Sequence, residues 1–136
     1  MIKNAIEIKK LHKIYDNKFE ALKSIDLNIP RGSFYGLLGP NGAGKTTTIG
    51  AISGLVNFSK GNISVMGYDN KEQYRIARKL IGLSPQELNF DVFFSMQELL
   101  ELQAGYYGLS NKEAKERTEL MLEQFGLIEK RKNTCR

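Results

Sequence analysis

Residues 34–50, FYGLLGPNGAGKTTTIG, constrain this chain more than any other stretch. An apolar run, Phe34 to Leu38, leads into Gly39-Pro40-Asn41-Gly42-Ala43-Gly44-Lys45-Thr46, and an apolar-spaced segment, Thr47 to Leu55, follows. This order predicts strand, glycine-rich loop and helix, and the loop fits the phosphate-binding pattern G-x-x-x-x-G-K-[ST]. A phosphate chain is bulky and anionic, so a backbone that wraps it must come close. Gly39, Gly42 and Gly44 lack a Cβ, which allows positive φ and lets successive N–H groups converge. The following helix offers unpaired N–H groups and the positive end of its dipole at the same place. Lys45 supplies a point charge within reach of β- and γ-phosphates, and Thr46 a hydroxyl oxygen where hard Mg²⁺ would sit. The bland alternative is a glycine turn with an incidental lysine.

The chain has 136 residues, enough for one domain and too few for two of ordinary size. Hydrophobic content of 41% with 26% charged residues is usual for a globular protein. No window of 18 consecutive apolar residues exists to span a membrane, and MIKNAIEIKK lacks a signal-peptide core. The single cysteine, Cys135, cannot form an internal disulfide; without an export signal the expected compartment is the cytoplasm. A net charge of +5 raises the question of nucleic acid. The lysines are spread along the chain, however, and residues 80–109 contain no Lys or Arg. A solvated basic surface is therefore expected, with a phosphate ligand or anionic lipid also compatible.

Hydrophobic periodicity outlines the remaining elements. Ala5 to Lys9 alternates, with Ile6 and Ile8 on one side. After the turn Asp16-Asn17-Lys18, Ala21 to Ile29 alternates again, placing Leu22, Ser24, Asp26 and Asn28 on one face and Lys23, Ile25, Leu27 and Ile29 on the other. These two strands predict an antiparallel layer packed ahead of the loop. Beyond the loop helix, the pattern predicts a strand at 62–66, a short helix at 71–79 and a strand at 80–84. Ser95-Met96-Gln97-Glu98 and Ser110-Asn111-Lys112-Glu113 are both capping-box sequences. They open two helices that stop near Gly108 and Gly126. Ala114, Thr118, Met121, Leu122 and Phe125 mark one face of the second. Such a pair is either core packing or a surface for lipid or a partner.

In these residues the chain resembles the ATP-binding subunit of an ABC transporter, ABC-2 exporters in particular. GPNGAGKTTT after FYGLLG carries the resemblance, supported by LHKIYDNKFEALKSIDLNIPRG and by Leu83-Ser84-Pro85-Gln86, similar to the family's glutamine loop. The resemblance implies an α/β P-loop NTPase: an antiparallel β layer over residues 1–33, a P-loop core portion over 34–86 and the start of a helical subdomain over 87–136. It implies ATP and Mg²⁺ as cofactors. Gly39, Pro40, Asn41, Gly42, Ala43, Gly44, Lys45, Thr46 and Thr47 then hold phosphate, and Tyr15 stacks on adenine. Thr46 and Gln86 approach the metal, and Lys45 and Gln86 take the catalytic roles. Read alone, Tyr15 is equally a strand-end aromatic over the core, and Gln86 a loop amide. Glu87 to Phe94 would form the groove for a membrane permease, with Phe90, Phe93 and Phe94 as its floor, or else a local satellite core. A second nucleotide-binding domain would complete a dimer, no nucleic acid is expected, and the protein would sit at the inner face of the membrane through its partner.

The chain departs from the family pattern in four parts. There is no Ser-Gly-Gly signature and no later His, since the only histidine is His12. None of Asp16, Asp26, Asp69 and Asp91 follows four apolar residues on a plausible strand, so the metal-holding Asp and the Glu after it are also missing. The resemblance thus implies the N-terminal part of a longer protein, with hydrolysis by this chain alone near background. The strand at Phe34 to Leu38 would belong mid-sheet and expose apolar surface here. Other readings are a soluble ABC-type ATPase acting on ribosomes or DNA, a small-molecule kinase, or a non-catalytic nucleotide-binding remnant. The kinase reading suffers from the lack of arginine in residues 80–109.

Overall fold

The computed structural model describes residues 2–84 and 91–134. The chain clusters into two compact units, residues 1–83 and 84–136.

The first unit is built on an antiparallel sheet. Strand β1 (Asn4–Ile14) pairs with β2 (Glu20–Pro30) on one side and β3 (Lys60–Val65) on the other, and β4 (Tyr68–Asp69) lies beyond β3. The antiparallel layer therefore extends past residue 33 and includes the strand expected at 62–66. Helix α1 (Lys45–Ser53) follows the glycine loop, and α2 (Tyr74–Lys79) follows β4. Ile8, Leu11 and Leu22 from β1 and β2, Ile63 and Val65 from β3, Ala51 and Ile52 from α1, and Phe58 and Ala77 form one buried cluster. Each Val, Leu, Ile or Phe side chain buried in this way contributes about 1.5–3 kcal/mol, and the two alanines less.

Two β-bulges change the expected faces. Simple alternation sets Leu22 opposite Ile25 and Leu27. In the fold Leu22 is buried while Ile25 and Leu27 also pack against the core. The pairing runs Leu11 with Ile25 but Lys13 with Leu22, so β2 carries one extra residue, and Ser24 takes φ +58°. The inserted residue reverses the parity of the strand. β1 does the same between Ile8 and Leu11, both buried, with Lys10 at φ +47°.

The strands expected at Phe34 to Leu38 and at Leu80 to Ser84 are not formed. Phe34 and Leu38 are 105% and 92% exposed. A strand exists through its ladder, and neither segment runs beside a described strand able to supply one.

In the second unit, α3 (Met96–Tyr106) packs against α4 (Asn111–Gln124). Both capping boxes form: the Glu98 carboxylate accepts from the Ser95 N–H at 2.8 Å, and that of Glu113 from the Ser110 N–H at 2.9 Å. Both carboxyls are held below their ordinary value, chiefly by the serine hydroxyls and then by these N–H groups. Ala114, Thr118 and Leu122 are buried, but Phe125, expected on the same face, is 70% exposed. It stands at the C-cap, where the helical path ends and the i, i+4 extrapolation no longer applies. The chain returns over the start of α3, whose Met96 and Gln97 N–H groups donate to Asn133 O and Arg131 O.

Candidate functional site

The site is the loop between Phe34 and the first turn of α1. Gly42 and Gly44 take φ +83° and +84°, the left-handed region a Cβ disfavours. Gly44 carries a second constraint. A Cβ there would stand 2.7 Å from Leu22 Cδ2 and 2.8 Å from Ala21 O, so the loop is seated directly against β2. Sequence pattern accounts for the positive φ; the close approach to β2 is tertiary.

Inside the loop, the Ala43 N–H donates to Pro40 O at 3.2 Å, and the Thr48 N–H and hydroxyl both donate to Gly44 O, at 2.8 and 2.9 Å. Among the described residues no protein acceptor takes the N–H groups of Gly42, Gly44, Lys45, Thr46 or Thr47. These are loop amides together with the first-turn amides that a helix leaves unpaired. The Lys45 ammonium lies across the loop and donates to Gly39 O at 2.6 Å and Pro40 O at 2.7 Å. Its charge is thus positioned over the same backbone. Thr46 is exposed on the first turn of α1.

Tyr15, at the end of β1, is brought to this loop. Its hydroxyl lies 3.3 Å from Thr47 Oγ1, and the Lys13 ammonium sits 4.7 Å from its ring centroid. Tyr15 as a whole is 38% exposed. Gln86, and Glu87 to Phe90 of the expected permease groove, lie outside the described residues. Of the rest of that groove, Phe93 and Phe94 are 74% and 40% exposed.

Two residues missed by sequence reasoning hold α1 from its far end. Asn70 is buried, and its side-chain amide donates to Ala51 O at 2.9 Å and Ile52 O at 3.0 Å. Arg78 donates to Gly54 O at 3.1 Å. These carbonyls belong to the last turn and cap of α1, which its own amides cannot satisfy. No local pattern links position 70 with position 51. Next to Asn70, the Asp69 carboxylate accepts from the N–H groups of Lys71 and Glu72, at 2.7 and 2.8 Å, and from Asn62. The Glu72 N–H is the largest cause of its lowered pKa.

A glycine loop with free amides and a poised ammonium, opening a helix beside an antiparallel sheet, defines an α/β P-loop nucleotide-binding protein. The ABC transporter family profile matches residues 22–136, and the chain belongs to that family. It is 40% identical over 128 residues to the linearmycin resistance ATP-binding protein of Bacillus subtilis, covering 94% of this chain and 41% of that protein. It is 38% identical to the Nod factor export ATP-binding protein I of Cupriavidus pinatubonensis, covering 94% and 39%. Among solved structures, an ATP-binding subunit of an ABC transporter matches with TM-score 0.78 and 31% identity, covering 96% of this chain and 54% of that one. A dimeric ATP-binding cassette bound to ADP and Pi matches with TM-score 0.76 and 25% identity, covering 96% and 61%. The chain thus spans about two fifths of the length of these curated relatives.

Proposed function

We propose that residues 39–47 bind the triphosphate of ATP, and that the chain is the nucleotide-binding part of an ABC-type export ATPase that powers a membrane permease. The observation that carries this reading is the set of unpaired amides at Gly42 and Gly44 to Thr47, with the Lys45 ammonium over the same loop. On binding, Lys45 exchanges neutral carbonyl partners for phosphate oxygens, and the N-terminal end of α1 faces negative charge. Tyr15 stacks on the base, a contact worth about 1–3 kcal/mol. The names of the relatives, both ATP-binding proteins of resistance or export, support the exporter assignment.

The donor set fits Mg²⁺ only as a partner of bound phosphate. Thr46 offers one hard oxygen, and the described residues contain no group of three His, Cys, Asp or Glu able to hold a metal. Thr46 and Gln86 would hold the ion together with phosphate oxygens and water, and the ion would supply charge neutralisation at the phosphates. Lys45 and Gln86 take the catalytic roles in the complete site, the permease docks at Glu87 to Phe94, and a second nucleotide-binding domain pairs with the first. The assembly would lie on the cytoplasmic side of the membrane; no described helix is long and apolar enough to cross it.

Titration calorimetry with Mg·ATP tests the binding. Lys45→Ala removes charge-assisted bonds worth about 1.5–3 kcal/mol, so affinity falls roughly tenfold to a hundredfold. Equal heats from both proteins would sink the assignment. Among the described residues no Asp or Glu side chain hydrogen-bonds to residues 39–47, and hydrolysis by this chain alone is expected to stay near background. A sustained turnover of about 1 s⁻¹ that Lys45→Ala abolishes would contradict this, given that a complete site depends on metal and water placement.

A further inference from the structure

We propose that the groove at the bulges of β1 and β2, which shares Glu20, Lys23 and Asp26 with the loop-side hollow, is a second anion site that takes a compact phosphate-bearing ligand. The site is a groove of about 880 Å³ lined by β1, β2 and β3. Its chemistry follows from the bulges. In a regular strand, consecutive side chains point to opposite faces. At the bulges this rule fails, so Lys9 and Lys10 both line the groove, as do Lys23 and Ser24. Lys60 joins them from β3. The extra residue of β1 displaces its register with both neighbouring strands. The β1–β3 register shifts between Lys9 and His12, and a Cβ on Gly61 would overlap Lys10 O. Lys10 and Ser24 hold positive φ, a conformation costly for residues with a Cβ and concentrated at functional positions.

Lysines outnumber carboxylates in the groove, with Lys9, Lys10, Lys23 and Lys60 against Asp26 and Glu20. Asp26 and Glu20 are the carboxylates of the groove, and both are engaged. Asp26 Oδ1 accepts from the Lys10 N–H at 2.9 Å, and Glu20 Oε1 lies 2.7 Å from His12 Nε2. Lys9 pairs with Glu7 at 3.0 Å. Lys10, Lys23 and Lys60 make no ion pair among the described residues. Lysines from three adjacent strands thus line one concavity and leave it an excess of positive charge, which concentrates anions. An added peptide strand does not fit, because β1 beneath the groove is paired on both edges. Recognition there rests on side chains, which suits clustered phosphate charge, whether a free polyphosphate or a lipid headgroup.

Amide NMR titration of the 136-residue chain with sodium triphosphate tests the site, using Lys10 and Lys60 as handles because neither borders the loop-side hollow. Saturable shifts at Lys10, Ser24 and Gly61 are expected. They weaken about tenfold or more in Lys10→Asn/Lys60→Gln, which loses two charge-assisted contacts, while the Gly42 and Gly44 amides respond as before. Lys60→Gln alone serves if the double variant does not fold. Shifts at the loop but not the groove overturn this inference and leave the ATP reading intact; shifts at the groove but not the loop do the reverse. In a parallel arm, the chain is sedimented with phosphatidylcholine vesicles with and without phosphatidylglycerol. Binding only to the anionic vesicles, lost in the same variant, assigns the groove to a headgroup; saturation by triphosphate alone assigns it to a free polyphosphate. No response in either arm, or an undiminished response in the variants, refutes the site.

Discussion

Asn70 ties the far end of the phosphate-loop helix to the strand layer, and its replacement tests that tie quantitatively. Two carbonyls depend on it. Ile52 O has no other partner among the described residues, and leaving it unsatisfied costs about 1–3 kcal/mol. Ala51 O keeps the Gly54 N–H at 3.2 Å, so its loss is the smaller net value of a hydrogen bond, about 0.5–1.5 kcal/mol. Against these stands Asn70 Oδ1, buried without a partner, whose removal recovers part of the loss. The net for Asn70→Ala is about 1–2 kcal/mol. Asn70→Asp is predicted to be worse despite its closer shape, because a buried carboxylate would face two carbonyl oxygens with no donor. Urea unfolding followed by circular dichroism reads both variants, provided the m-value stays constant. An Asp variant as stable as the Ala variant, or an Ala variant indistinguishable from the parent, would refute the role assigned to this amide.

Three further outcomes are expected. Gly44→Ala weakens both folding and Mg·ATP binding, since about 1–2 kcal/mol of left-handed strain adds to overlap with the Ala21 carbonyl, whereas Gly42→Ala meets no neighbour and incurs the strain alone. Denaturation and calorimetry on the pair separate the two effects, and equal losses would contradict the seating of Gly44 on β2. Ser95→Ala and Ser110→Ala each destabilise the helical unit by about 0.5–2 kcal/mol at neutral pH. Because Glu98 and Glu113 have lowered pKa values when folded, their share is present above the ordinary value of 4.5 and is lost as pH falls through the folded values. The gap between parent and variants, followed by helicity, should narrow in acid, and a gap that widens there would reverse the assigned sign. Finally, the exposed Phe34 and Leu38 predict binding of an apolar dye, which Phe34→Ser/Leu38→Ser should reduce without loss of helicity. Unchanged fluorescence in that variant, or sharp cooperative melting of a parent that binds no dye, would count against an open apolar segment.

Much of the molecule was legible locally. The glycine pattern, the two capping boxes and the alternation of Ile6 and Ile8 act over a few residues, through backbone conformation, helix-end hydrogen bonds and pleat period; the two capped helices keep nearly their expected bounds, whereas β1 runs on past the alternating stretch to Ile14. At residues 39–47 residue type supplies the missing Cβ and the ammonium group, whereas which amides stay free depends on the conformation that the loop takes. What pairing and packing decide was not legible. An apolar run such as Phe34 to Leu38 states that it can be a strand, but only a neighbouring ladder makes it one. The reversal of faces at Lys10 and Ser24 depends on register with the adjacent strands. The approach of Tyr15 to Thr47, the seating of Gly44 on Leu22 and the amide of Asn70 on Ala51 and Ile52 join residues far apart in sequence. Those contacts come from the three-dimensional path of the backbone, which no local pattern encodes.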